Sequence, residues 1–226
     1  MQIWTPYDYD PQTKYDVVLL LHGDNDGVDS WLRTGHLVAG GVINGRSILD
    51  WLAYEHRCRP FLVVAIENQA DRYGAAILED VPEALAYAAE RFSTYAQDGS
   101  REAVVEARAH FTVGGLSRGG VYAYALMQNR PEYAANYLCM SCGVNIDPLE
   151  EALKASEYPL GRYFAAVGVQ DPRPNRSIFL RTCAYAQEAE LAEYAYGHDW
   201  NTWMGGLYDG LLFLLPPTEG EQGGGE

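Results

Sequence analysis

The sequence predicts an α/β protein with a mostly parallel, doubly wound sheet and helices on both of its faces. Two observations predict it. Short apolar runs rich in β-branched residues alternate with longer stretches whose apolar residues recur every three or four positions. The short runs are also apolar throughout rather than alternating, which marks strands buried on both faces.

In chain order, strands are expected at YDVVLLL (15–21), FLVVAI (61–66), HFTVGG (110–115), YLCMSC (137–142) and RYFAAVG (162–168), with a strand-like run at LAEYAY (191–196). Helices fall between them. One is expected over 46–55, and another over 78–95, where Val81, Leu85, Ala88, Phe92 and Tyr95 make an apolar stripe that packs on the sheet. A third starts just after Ser117, a fourth spans 176–187, and the last, 200–215, ends at Pro216 and Pro217, which cannot continue it.

A chain of 226 residues holds one well-buried core, so residues 1–217 are expected to form a single domain. The final stretch, TEGEQGGGE (218–226), has no apolar anchor and is expected to be a disordered tail. The segment between the runs at 137–142 and 162–168 is too short for a large lid domain, which leaves an open site.

Composition narrows the function. The formal net charge of -15 repels phosphate backbones and anionic membrane surfaces, so nucleic acid and membrane are not expected as partners. No apolar run approaches the ~18 residues that cross a bilayer. The N-terminus MQIWTPYDYD lacks the basic-then-apolar pattern of a secretory signal, so the protein stays in the cell or its signal lies outside this chain. Four cysteines are too scattered for a disulfide scaffold, and Cys139 and Cys142, a CxxC inside an apolar run, read as core residues rather than a redox or zinc pair. No metal and no cofactor is expected, and the oligomeric state is left open.

The chemistry centres on Gly115, Leu116, Ser117, Arg118 and Gly119, a G-x-S-x-G between a strand and a helix. In that context the motif forms a nucleophile elbow, and the positions two residues either side of the serine must be small. The glycines do not fit a phosphate loop, which needs GxxxxGK followed by Ser or Thr. A serine hydroxyl needs a base, and the base needs an acid to fix its tautomer. In α/β-hydrolases these follow in the order Ser, Asp or Glu, His. His22, His36, His56 and His110 all precede Ser117, which leaves His198 as the base. Asp171 directly follows the RYFAAVG strand and is the expected acid, with Asp147 and Asp199 as weaker candidates. For the oxyanion, the backbone N–H groups of Arg118 and Asp24 are expected as donors, with His22 bracing the loop that carries Asp24. Trp200 and Trp203, one turn apart in GHDWNTW, either pack the last helix or stack on a substrate ring.

These residues resemble carbohydrate esterase family one, the feruloyl and acetyl-xylan esterases, within the wider esterase D-like α/β-hydrolases. TPYDYDPQTKYDVVLLLHG is similar to the family's entry into its oxyanion strand, FLVVAIEN to its next strand, EARAHFTVGGLSRGG to its approach to the nucleophile, and GHDWNTW to its catalytic-histidine motif. The resemblance implies the α/β-hydrolase fold and a cofactor-free serine esterase that acts on ester substituents of plant polysaccharide, ferulate on arabinoxylan foremost, in a secreted setting. An acetyl-xylan or other small-acyl esterase is the alternative within the fold, and a catalytically silent glycan binder the alternative outside it. Arg118 stands where the family commonly has methionine, HGDNDG replaces a run of glycines, and few residues precede the first strand, so opening strands of the fold are expected to be missing.

Overall fold

A computed structural model describes residues 1–68 and 75–217, so the tail at 218–226 lies outside the described residues. In chain order the elements are β1 (Gln2–Trp4), β2 (Asp16–Leu21), β3 (His36–Val38), β4 (Gly41–Ile43), α1 (Gly45–Tyr54), β5 (Phe61–Ile66), α2 (Ile77–Arg91) and α3 (Arg101–Glu106). They continue with β6 (Phe111–Leu116), α4 (Arg118–Asn129), β7 (Asn136–Met140), α5 (Ile146–Ala155), β8 (Leu160–Gly168), α6 (Asn175–Thr182), β9 (Ala186–Tyr194) and α7 (Trp200–Leu214).

Seven strands form one sheet in the order β1-β5-β2-β6-β7-β8-β9, and β3 and β4 form a separate hairpin. Only β1 runs antiparallel to its neighbour; the other pairs in the large sheet are parallel. All residues of β2, β5, β6 and β7 are buried, which is why their sequences are almost wholly apolar, with Asp16, Thr112 and Asn136 the polar exceptions. Alternate residues feed two cores. Val17, Leu19 and Leu21 of β2 pack with α2, α4, α5 and α6, whereas Val18 and Leu20 pack with α1 and α7 on the opposite face. No helix among the described residues is long and apolar enough to cross a membrane.

Several boundaries differ from the sequence reading, each for a local reason. The helix expected over 78–95 stops at Arg91, because Phe92 is already extended, and Tyr95 is 39% exposed instead of joining the apolar stripe. Tyr95 stacks on His110, with ring centroids 3.4 Å apart, and His110 lies in a 3-10 turn (Arg108–His110) rather than in β6. From there its Nδ1 sits 3.0 Å from the buried carboxylate of Asp16, which also accepts from Arg59 Nε at 3.0 Å. β7 ends at Met140 because Ser141 turns the chain with φ 50. The helix expected over 176–187 closes at Thr182, and Ala186 and Gln187 instead open β9. One strand, β1, does precede β2, but it is short and borders β5.

Packing between the sheet and α7 is close enough to need glycine. A Cβ on Gly114 of β6 would lie 2.7 Å from Leu138 Cβ, and one on Gly210 of α7 would lie 2.7 Å from Leu138 Cδ1. Leu138 therefore fills a slot between a strand glycine and a helix glycine. Leu138→Ala is expected to cost about 2–5 kcal/mol, read as a lower midpoint in urea unfolding, since glycine-lined walls have little side chain to collapse into the gap.

The four cysteines are free thiols, three of them buried. Burial pushes the Cys58 thiol up to about 12 and raises Cys139 and Cys142 as well. A thiol reagent at mildly alkaline pH is expected to modify the part-exposed Cys183 first and the other three only on unfolding; prompt labelling of all four in the native protein would contradict this packing.

Candidate active site

Ser117 alone separates β6 from α4 and takes φ 51 and ψ -113, a left-handed conformation that costs a non-glycine residue of order 1–3 kcal/mol. Two backbone bonds hold it there. Its N–H donates to the Met140 carbonyl at 2.9 Å, and its carbonyl accepts from Val121 N–H at 3.1 Å. The turn crosses β2 so tightly that a Cβ on Gly119 would lie 2.2 Å from the Leu21 carbonyl oxygen, and one on Gly115 would lie 2.5 Å from the Gly119 carbonyl carbon.

His198 lies between β9 and α7, and Asp171 just beyond β8. His198 Nε2 is 3.0 Å from Ser117 Oγ, and His198 Nδ1 is 2.8 Å from Asp171 Oδ2. The Asp171 side chain is fully shielded from solvent, and its other oxygen accepts the Arg173 N–H at 2.9 Å. The loops are fixed as well. Val169 N–H donates to Tyr194 O and Gln170 N–H to Tyr196 O, tying the Asp171 loop to the segment that leads to His198. Thr202 Oγ1 donates to Gly197 O at 2.8 Å, and the Trp203 ring meets the His198 ring edge to face at 5.1 Å.

The weaker acid candidates have other partners. Asp199 caps α7, accepting from the N–H groups of Asn201 and Thr202, and its second oxygen accepts from Gly197 N–H. Asp147 is in the first turn of α5 and pairs with Arg181 at 2.9 Å.

Arg118 is the first residue of α4, so its N–H is one of the donors a helix leaves unpaired at its start. Asp24 sits in a turn closed by Asp26 N–H on Gly23 O, with Asn25 at φ 65. A Cβ on Gly23 would lie 3.5 Å from Ser117 Cβ and 2.6 Å from Leu116 Cδ1, so glycine brings this turn alongside the serine. The Arg118 guanidinium lies back on the Asp24 carboxylate at 3.1 Å, a solvent-exposed pair worth little to stability but one that joins the two loops. His22 is buried beneath, with Nδ1 2.8 Å from Gly23 O, Nε2 2.9 Å from Glu67 Oε1, and a backbone N–H on Asn68 Oδ1.

The reading of Trp200 and Trp203 as substrate-binding residues gives way to packing. They are 5% and 7% exposed, lie in the core beneath α7, and meet each other edge to face at 5.2 Å, with Trp31 against Trp200. The cleft beside Ser117, of about 510 Å³, is lined by other residues: Asp24 and Arg118, but also Ser141, Asn145, Arg173 and Pro174. None of those last four carries a sequence motif. Their common signal is position, since they follow β7 and β8 at the sheet edge where the serine turn also lies.

The fold is that of the α/β-hydrolases. It is similar to the feruloyl esterase module of Clostridium thermocellum solved with sinapinate, at 20% identity over 99% of this chain and 85% of that one, with a TM-score of 0.76. A ferulic acid esterase of carbohydrate esterase family one from Anaeromyces mucronatus, solved with ferulic acid, matches at 17% identity over 93% and 82% of the two chains, with a TM-score of 0.66. In sequence, 143 residues, 62% of the chain, are 24% identical to endo-1,4-beta-xylanase Y of Acetivibrio thermocellus, and the match spans 13% of that relative's length. No family model matches the sequence.

Gly119→Ala tests the crossing at Leu21. It is expected to lower stability by roughly 1–3 kcal/mol in chemical unfolding, because the obstacle is backbone and not a side chain that can swing away. A native-like midpoint would show that the two segments can part.

Proposed function

We propose that the chain is a serine carboxylesterase that removes ester substituents from plant polysaccharide, with feruloyl groups on arabinoxylan as the foremost substrate. The observation that carries this is the unbroken hydrogen-bond line from Ser117 Oγ through His198 to the shielded carboxylate of Asp171, at 3.0 and 2.8 Å. The likeness to solved feruloyl esterases supports the choice of acyl group.

In this reading Ser117 Oγ attacks the ester carbonyl carbon while His198 Nε2 takes the hydroxyl proton. Asp171 holds Nδ1–H and stabilises the imidazolium that forms. The negative charge that develops on the carbonyl oxygen is met by the N–H groups of Arg118 and Asp24, already fixed by α4 and the turn after Gly23. When the tetrahedral intermediate collapses, the alcohol leaves with the proton from Nε2 and the acid stays on Ser117. Water, deprotonated by the same nitrogen, then releases it.

The strained turn serves this cycle by holding the hydroxyl in reach of the imidazole before substrate arrives, so less order has to be created at the barrier. With methyl ferulate or feruloylated arabinoxylan as substrate, Ser117→Ala is expected to reduce turnover by more than about 10⁴-fold, and Asp171→Asn by roughly 10⁴-fold through loss of the right tautomer. Undiminished release of ferulate by the Ser117→Ala protein would end the assignment, and a strong preference for acetyl esters would move it to the small-acyl alternative.

A further inference from the structure

The cleft beside Ser117 is electrostatically unlike the rest of a chain whose formal net charge is -15. Three helices begin at its rim. Arg118 opens α4, Asn145 is the N-cap of α5 and Pro174 is the N-cap of α6, and all three residues line the cleft. None of these starts has a side-chain cap, so each leaves backbone N–H groups and the positive end of a helix dipole at the same opening.

Side chains add to this. Arg173 lines the cleft, and its guanidinium has no ion-pair or hydrogen-bond partner among the described residues. Behind it, burial raises the Cys142 thiol while the charge of Arg173 pulls the other way. The carboxylates nearby are already engaged: Asp24 by Arg118, and Asp171 by His198 and the Arg173 N–H. Ser141, also in the lining, is completely buried in the left-handed region at φ 50, and its Oγ has no hydrogen-bond partner among the described residues. A shielded hydroxyl left unpaired in a strained residue is a feature that calls for a partner from outside the chain.

We propose that this cleft selects esters that carry a carboxylate close to the scissile bond, with Arg173 as the ion-pair partner and Ser141 and the uncapped starts of α5 and α6 as supporting donors. The proposal rests on the esterase reading for its catalytic consequence, but the anion site itself does not. It implies that a neutral hydroxycinnamoyl group is not the whole of what the site recognises. The carboxylate sits either on the acid half of the ester or on its alcohol half, as in a uronic acid.

Two matched pairs of esters separate those sources. The para-nitrophenyl half-ester of glutarate against para-nitrophenyl valerate places the charge on the acid side; an acetylated methyl glucuronoside against an acetylated methyl glucoside places it on the alcohol side. In one pair, kcat/KM is expected to favour the charged member by roughly tenfold, the size of a charge-assisted hydrogen bond in a half-open cleft. Arg173→Gln should bring that ratio close to one, Arg173→Lys should retain part of it, and high salt should compress it. Ratios that are the same in the native and Arg173→Gln proteins for both pairs would overturn the proposal. Calorimetric titration with glutarate and with unacetylated methyl glucuronoside, neither of which is turned over, gives a second reading: binding of either that weakens roughly tenfold in Arg173→Gln supports the site, and equal or absent binding of both in the two proteins refutes it. If no ester is hydrolysed at all, the esterase reading fails while the two titrations still decide this one.

Discussion

At the centre of the molecule, the turn after β6 passes so close to the Leu21 carbonyl at the end of β2 that the backbone there has no room for a side chain. Gly115 and Gly119 make this crossing possible, and the crossing forces Ser117 into a left-handed conformation. The strain is local, whereas its support is spread widely. The Met140 carbonyl on β7 takes the Ser117 N–H, and two buried cores hold β2, β6 and β7 in register on either side. A residue in such a conformation persists only where the surroundings over-determine it, and here those surroundings are the middle of the sheet.

Parallel topology explains why residues 54 and 81 positions apart from one another in sequence come together. Every strand from β2 to β9 in the large sheet points the same way, so the segments after β2, β6, β7, β8 and β9 all emerge at one edge. Helices that return from that edge also start there, which brings their N-terminal ends, and the positive potential they carry, to the opening next to Ser117. The core beneath α7 has a part in this too. Trp203 packs edge to face with His198, Trp200 packs on Trp203, and Trp31 packs on Trp200, so a chain of buried aromatic rings runs from the core to the imidazole.

Much of the fold was legible in the sequence because the central strands are buried on both faces and read as unbroken apolar runs. The elements that escaped are those where that rule does not apply. No residue of β9 is fully buried, so AQEAELAEY mixes acids with small apolar residues and only its last part reads as a strand. β1, β3 and β4 have three residues each, too few for any period to register, and the six residues of α3 make less than two helical turns. At the site, Ser117, Asp171 and His198 could be chosen by order along the chain, since each follows a strand. Ser141 and Arg173 could not, because an ordinary serine after a strand and an ordinary arginine in a proline-rich turn look alike whether or not a cleft lies beside them. Trp200 and Trp203 misled for the complementary reason: tryptophans next to a catalytic-type histidine suit both a wall and a floor, and burial alone separates the two.

β9 is the outermost strand on its side of the sheet, and it would be a template on which a second molecule could continue the hydrogen-bond ladder. Its acids answer that hazard. Glu188 pairs with Arg162 and Glu193 with Arg176, and Glu190 lies between them on the same strand. Any chain laid along this border would have to approach carboxylates on both faces of the strand, so the charge that obscured the strand in the sequence also guards its open edge.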